Sequence, residues 1–471
     1  MDATELCFTP AVTLARAIRA RELSPVELVD AVLARIEAVN PRINAYCTVA
    51  AEPARDAARA AEERVARGGP LGRLHGVPVS FKDLTPTAGI RTTMGSKIFE
   101  HHVPAEDALV VERVKAAGAV VVGKTNTPEF GCKGTTDNRV FGATRNPWNP
   151  AMTAGGSSGG AGAALAAGLA PLAQGSDQAG SIRVPAAACG VVGLKPGPGR
   201  VARYPAPNGW PTLSVDGPMA RTVRDTALLF GVMCGPDERD PSSLPDTGED
   251  FLAACDAPLG RLRVAWSPDL GYAPVDPRVA AVAGAAARVF AEMGCELEEA
   301  SPGFADPDEL FRGLTAPVRA AGLGQYLERW GDQMDPILTG RMRQADGVSA
   351  VDYERLFQRR TELWHTARRF FERYDLLVTP TLALPPFPID DPYPPRQVAG
   401  RPVDSPIGWF PFTFPFNLTG HPAISVPAGW TDDGLPIGLQ IVGRRFGEAA
   451  LLRAAAAFEA ARPWAQRRPP L

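Results

Sequence analysis

The chain has 471 residues, 45% of them hydrophobic, enough to bury a large core. Its formal net charge is −3 and no Lys/Arg run stands out, so a nucleic-acid or anionic-membrane surface has no electrostatic support. Seven scattered cysteines without a Cys-x-x-Cys pair argue against a disulfide framework or a zinc site, and most are expected to be small buried hydrophobes.

The first 25 residues mix charge into their apolar positions and lack the apolar core and small-residue cleavage site of a signal peptide. Ser24-Pro25-Val26-Glu27 marks a helix start, with Ser24 as cap, Pro25 in the first turn and Glu27 able to reach back. Val29, Val32, Leu33 and Ile36 then recur at helical spacing. From residue 75 short apolar strands alternate with helices. Strands are predicted at Val77–Phe81, Val120–Gly123, Leu262–Trp266 and Leu376–Thr379, and helices at Asp107–Ala117 and after Gly160. Ala423–Pro427 and Ile437–Val442 flank a turn at Asp432, Asp433 and Gly434, a hairpin pattern. The expected fold is therefore α/β with a central mixed sheet. The uncharged stretch 146–176 is too rich in Gly, Ser and Ala to span a membrane, so a cytoplasmic protein is expected. Residues 235–260 and 380–406, rich in Pro and Asp, predict long surface connections. The segment 270–370 is helical and carries Phe311, Tyr326, Trp330, Tyr353, Phe357 and Trp364, which suit either helix packing or a cap over a pocket.

Three motifs carry chemistry. In GVPVSFKDL (76–84), Ser80 and Lys82 share the strand face opposite Val77, Val79 and Phe81. A lysine in so apolar a place either snorkels to solvent or is desolvated into a usable base. TAGGSSGG (153–160) is a Gly/Ser run followed at once by an Ala-rich helix. GSDQAGSIRVPA (175–186) offers a tight turn whose successive N–H groups can converge on one oxygen, as an oxyanion hole requires. Gly156-Ser157-Ser158-Gly159-Gly160 also fits G-x-S-x-G with Ser158 as an elbow serine. Against that reading, Asn146-Pro147-Trp148-Asn149-Pro150 is a turn rather than a strand, and His421 has no evident acidic partner. A nucleotide loop is excluded by the absence of G-K-[ST] and of G-x-G-x-x-G after a strand. Five dispersed histidines give no metal-binding cluster, so neither metal nor cofactor is expected.

Together the three motifs resemble the amidase-signature family, and the spacing from Lys82 to Ser157 to Ser181 agrees with it. GKTNTPEFG (123–131), FGATRNPWNP (141–150), DGPMARTVRDTALL (216–229), YDLLVTPT (374–381), PFNLTGHPAISVP (415–427) and GLPIGLQIVGRRFGEAALLRAAAAFE (434–459) look like family segments too. The resemblance implies one amidase-signature domain over 1–471. Its core motifs would span about 70–230 and 370–460, with a variable helical cap at about 235–370 that shapes substrate preference. It implies a twisted mixed sheet covered by helices on both faces.

The resemblance further implies a catalytic triad of Lys82, Ser157 after a cis peptide, and nucleophilic Ser181. The backbone of Gln178, Ala179, Gly180 and Ser181 would form the oxyanion hole, with Ser158, Asp177 and Arg183 in support. Cys132, Gly134, Trp409 and Phe410 are expected in the substrate pocket, the last two because Trp409, Phe410, Phe412 and Phe414 form an aromatic loop. One departure stands out: Gln178-Ala179 replaces the more usual Thr-Gly, which puts the backbone geometry at Ala179 in question. The expected activity is hydrolysis of apolar or aryl carboxylic amides through an acyl-enzyme, by a monomer or homodimer acting on small molecules. Carbamate (urethane) or ester hydrolysis on the same triad, a role as the ammonia-producing component of a glutamyl-tRNA amidotransferase, and a catalytically silent binding protein are the alternatives.

Overall fold

The computed structural model describes residues 2–210 and 212–471. Eleven strands form one central sheet. In chain order they are β1 (Tyr46–Val49), β2 (Pro78–Lys82), β3 (Val120–Thr125), β4 (Leu172–Asp177), β5 (Val192–Lys195), β6 (Val215–Ala220), β7 (Arg263–Trp266), β8 (Glu296–Glu299), β9 (Leu376–Pro380), β10 (Ala423–Trp430) and β11 (Pro436–Gly443). Across the sheet they run β1-β3-β2-β4-β6-β5-β10-β11-β9-β7-β8. β3, β2 and β4 pair in parallel, as do β9, β7 and β8. The strands between β4 and β9 pair antiparallel, so the sheet is mixed, as the C-terminal hairpin implied.

Local sequence explains the packing. β2 reads Pro-Val-Ser-Phe-Lys and every residue is buried, because a central strand covered on both faces has no solvent side. The helix Gly159–Ala166 contains only Gly and Ala apart from Leu165. A Cβ at Gly160 would lie 2.2 Å from Asn126 N and 2.5 Å from Ala45 O, so only a glycine lets the helix lie this close to its neighbours. On β11, alternate residues Ile437, Leu439 and Ile441 join the core of Val279, Ala283 and Phe290 from the helix Pro277–Glu292. Gly438, on the opposite face, meets Ala187 of the helix Arg183–Cys189. Helices thus flank the sheet on both faces.

The helix Pro25–Ile43 forms as predicted, with Ser24 Oγ accepting from the N–H groups of Val26 and Glu27. Among the described residues Glu27 makes no return bond to the Ser24 N–H, and the Ser24 hydroxyl itself donates to Glu62. Two boundaries also differ. The cap expected from 235 begins only at the helix Asp308–Leu323, because the helix Pro277–Glu292 and β8 belong to the sheet layer. Residues 380–406 are no simple surface connection. Leu382, Ala383, Phe387 and Val398 are buried, and Tyr393 Oη accepts from Gly134 N at 2.9 Å and donates to Pro406 O at 2.7 Å. Among the described residues, no helix is long and apolar enough to cross a membrane.

Candidate active site

Lys82 is the last residue of β2 and is fully buried. Its Nζ donates to Ser157 Oγ at 2.6 Å and to Ser176 Oγ at 3.2 Å. Desolvation dominates its titration and pushes the pKa down to about 7, against the opposing pull of Asp177 and Asp216. Ser157 follows a cis peptide bond from Gly156 and is 2% exposed. The loop carrying it is fastened to the loop after β4 by the Ser158 N–H, which donates to Ser181 O at 3.1 Å. Ser158 Oγ lies 3.4 Å from both the N–H and the carbonyl of Ser176 and, among the described residues, bonds to no side chain that could activate it as an elbow serine. His421 is enclosed between Trp364 and Phe371, with ring centroids 5.2 and 4.7 Å away.

The turn after β4 is held from below. Asp177 and Arg183 are both fully buried and pair twice, Nε to Oδ2 and Nη2 to Oδ1, each at 3.0 Å. Arg183 also donates to Thr413 O (2.8 Å), Gln440 Oε1 (2.7 Å) and Asn417 Oδ1 (2.7 Å). Asn417 returns a bond to Asp177 Oδ1 at 2.9 Å. Burial alone would raise the Asp177 pKa, but the Arg183 charge and the bonds from Arg183 and Asn417 prevail and hold it at about 2. The carboxylate also takes the N–H groups of Gly180 (2.7 Å) and Ile182 (3.2 Å), which shapes the turn.

That geometry answers two expectations. Ala179 is not among the residues with positive φ; the unusual conformation falls on Gly180, at 127°, where a Cβ would lie 2.4 Å from Thr413 Oγ1. Gly180, however, is not free to serve as an oxyanion donor, because its N–H is committed to Asp177. Among the described residues the N–H groups of Gln178, Ala179 and Ser181 have no acceptor within the molecule.

Ser157, Ser176 and Ser181 open into one cavity of about 720 Å³. Its apolar lining includes Leu84, Pro86, Val110 and Phe130, and the helix Asp308–Leu323 supplies Pro317, Val318 and Leu323, so that helix does cover a pocket. The predicted pocket residues do not line this cavity itself. Cys132, Gly134 and Phe410 line a small recess that shares Gly131, Gln178, Ser181 and Arg319 with the cavity and so adjoins it at the 178–181 turn. Trp409 lines neither space. It is 1% exposed and packs edge-on against Phe387 and Phe410, while a Cβ at Gly134 would come within 2.6 Å of its ring. The aromatic loop is core because Phe414 also packs on Phe311 of the cap helix. Sequence reasoning missed Ser176, Asn417 and Gln440. Nothing local could join residue 417 to 177 or residue 440 to 183. The described residues bring no three His, Cys, Asp or Glu side chains into a metal-binding cluster.

The Amidase family model matches residues 27–452. An acylamidase of Rhodococcus erythropolis is 42% identical, over 100% of this chain and 98% of its own. The A-type component of the glutamyl-tRNA(Gln) amidotransferase of Roseiflexus sp. (strain RS-1) is 38% identical, with 96% of each chain covered. Among solved structures, a bacterial aryl acylamidase of the amidase signature family superposes with a TM-score of 0.92 at 33% identity, covering 98% of this chain and 97% of that one. With a family match across most of its length and relatives this similar over their whole lengths, the chain belongs to the amidase signature family and is an amide-hydrolysing enzyme.

Proposed function

We propose that the chain hydrolyses apolar or aryl carboxylic amides through an acyl-enzyme on Ser181, and that residues 1–471 act as one catalytic unit. The observation that carries this reading is the 2.6 Å contact between Lys82 Nζ and Ser157 Oγ, at the floor of the cavity Ser181 shares. Neutral Lys82 takes the Ser157 proton as Ser157 takes that of Ser181, and Ser181 Oγ bonds to the amide carbon. The oxygen turns anionic and is met by the N–H groups of Gln178, Ala179 and Ser181, with each key donor contributing about 3 kcal/mol. Ser157 then delivers a proton to the departing nitrogen as the C–N bond breaks, and water hydrolyses the ester along the same proton path.

The largely apolar lining of the cavity supports acyl or aryl groups as the bound portion. The similarity to the glutamyl-tRNA(Gln) amidotransferase component favours one other reading, in which a partner receives ammonia released here from glutamine. Two measurements separate the possibilities. Ser181→Ala abolishes labelling by a fluorophosphonate probe and hydrolysis of acyl anilides; persistent labelling would move the nucleophile elsewhere. Assayed alone, the chain cleaves anilides in a screen that also contains carbamates, esters and glutamine. Turnover of glutamine only would transfer the reading to the amidotransferase.

A further inference from the structure

Three charged side chains line the cavity among the described residues: Arg203, Asp216 and Arg319. Arg203 Nε donates to Asp216 Oδ2 at 3.2 Å, so those two charges offset each other. Arg319, on the cap helix, forms no ion pair among the described residues. Its charged neighbour is another guanidinium, Arg341, which donates to Cys132 O and likewise has no carboxylate partner. The three nitrogens of Arg319 differ. Nη2 donates to Gln178 Oε1 at 2.9 Å. Nε is enclosed and has no acceptor among the described residues. Among the described residues Nη1 is neither enclosed nor bonded, and Arg319 lines both the cavity and the recess that adjoins it at Ser181, so Nη1 is the donor left for a bound group.

A desolvated cation without a counter-charge is costly, and desolvation together with Arg341 pushes its pKa down to about 9. It remains protonated at neutral pH. A bound group that brings one negative charge offsets that cost; a neutral carbonyl offers an acceptor but no charge. Resting on the hydrolase reading above, we propose that Arg319 selects amides that carry a carboxylate near the scissile bond, and that Gln178 orients the guanidinium to receive it. Gln178 is the residue that departs from the family's usual threonine, and its longer side chain spans the gap to the cap helix.

The experiment uses two pairs of substrates of matched shape. On the acyl side, succinyl 4-nitroanilide is compared with 4-oxopentanoyl 4-nitroanilide. On the amine side, N-acetyl-4-aminobenzoate is compared with N-acetyl-4-aminoacetophenone. The wild-type enzyme prefers the charged member of one pair about tenfold or more in kcat/KM, and that pair shows which side of the amide carries the carboxylate. In Arg319→Met the charged-to-neutral ratio collapses toward one, mainly through KM, and Arg319→Lys keeps part of it. A ratio unchanged in Arg319→Met, or no charge preference in either wild-type pair, overturns the proposal. Should Arg319→Met not fold, succinate and succinamide are compared as inhibitors of the wild type; equal inhibition overturns it too. Fluorophosphonate labelling of Ser181 without any charge preference sinks the Arg319 assignment alone. Failure of both labelling and all hydrolysis sinks the hydrolase reading, and this one with it.

Discussion

Lys82 ends β2 and Lys195 ends β5, and both side chains are buried. Desolvation pushes both pKa values down to about 7, at Lys195 with the help of the Arg183 charge. Their contacts differ. Lys82 reaches two hydroxyls that face the cavity, whereas Lys195 Nζ donates to the carbonyl of Pro196 and faces none. A third buried lysine, Lys124, is likewise spent on Thr85 O and on Thr87 Oγ1. A depressed pKa therefore does not by itself nominate a base. What distinguishes Lys82 is a proton acceptor's place beside a hydroxyl that a substrate can reach.

The sharpest way to break the comparison is to remove each member. Lys82→Ala lowers kcat/KM for an anilide by about 10³-fold while circular dichroism and melting report an intact fold. Near-normal turnover would strip Lys82 of its role. Next in size is the support beneath the turn. Arg183→Met leaves the Asp177 carboxylate buried without its partner and costs about 3–5 kcal/mol of stability, read from denaturant unfolding; a loss under about 1 kcal/mol would show that other groups hold the turn. The smallest effect is a matter of pH. In the proposed mechanism the base is neutral lysine, so kcat/KM falls about tenfold per unit as pH drops below about 7 and levels off above it. Lys195→Met leaves that acid limb where it is, whereas a displaced limb would make Lys195 the titrating group.

Much of this was legible in the sequence. Hydrophobic runs located six of the eleven strands within one to three residues and left β1, β4, β5, β6 and β8 unmarked, while the three motifs marked the loops that meet at the cavity. Parity on β2 put Lys82 on the correct side, and Asp177 and Arg183 do pair. What escaped was of two kinds. Aromatic residues 409–414 were expected to line the pocket, and Phe410 does line the recess beside Ser181, but Trp409, Phe412 and Phe414 fill core against Phe387 and the cap helix, which a run of large rings does not reveal. The Gly180 N–H counted as an oxyanion donor because a linear motif does not reveal that the Asp177 side chain three residues earlier claims it first. Arg319 was overlooked because its partner lies 141 residues away in the chain.

The network around Asp177 also bears on the order in which the protein matures. Asn417 and Gln440, which grip the Asp177–Arg183 pair, lie 240 and 257 residues beyond the residues they bond. A ribosome that has made Lys82, Ser157 and Ser181 has therefore not yet made what holds the turn of the proposed nucleophile. Contacts of such long separation close late in folding. Competence thus waits for the C-terminal hairpin, and a chain cut short before it carries every reacting side chain but lacks the clasp.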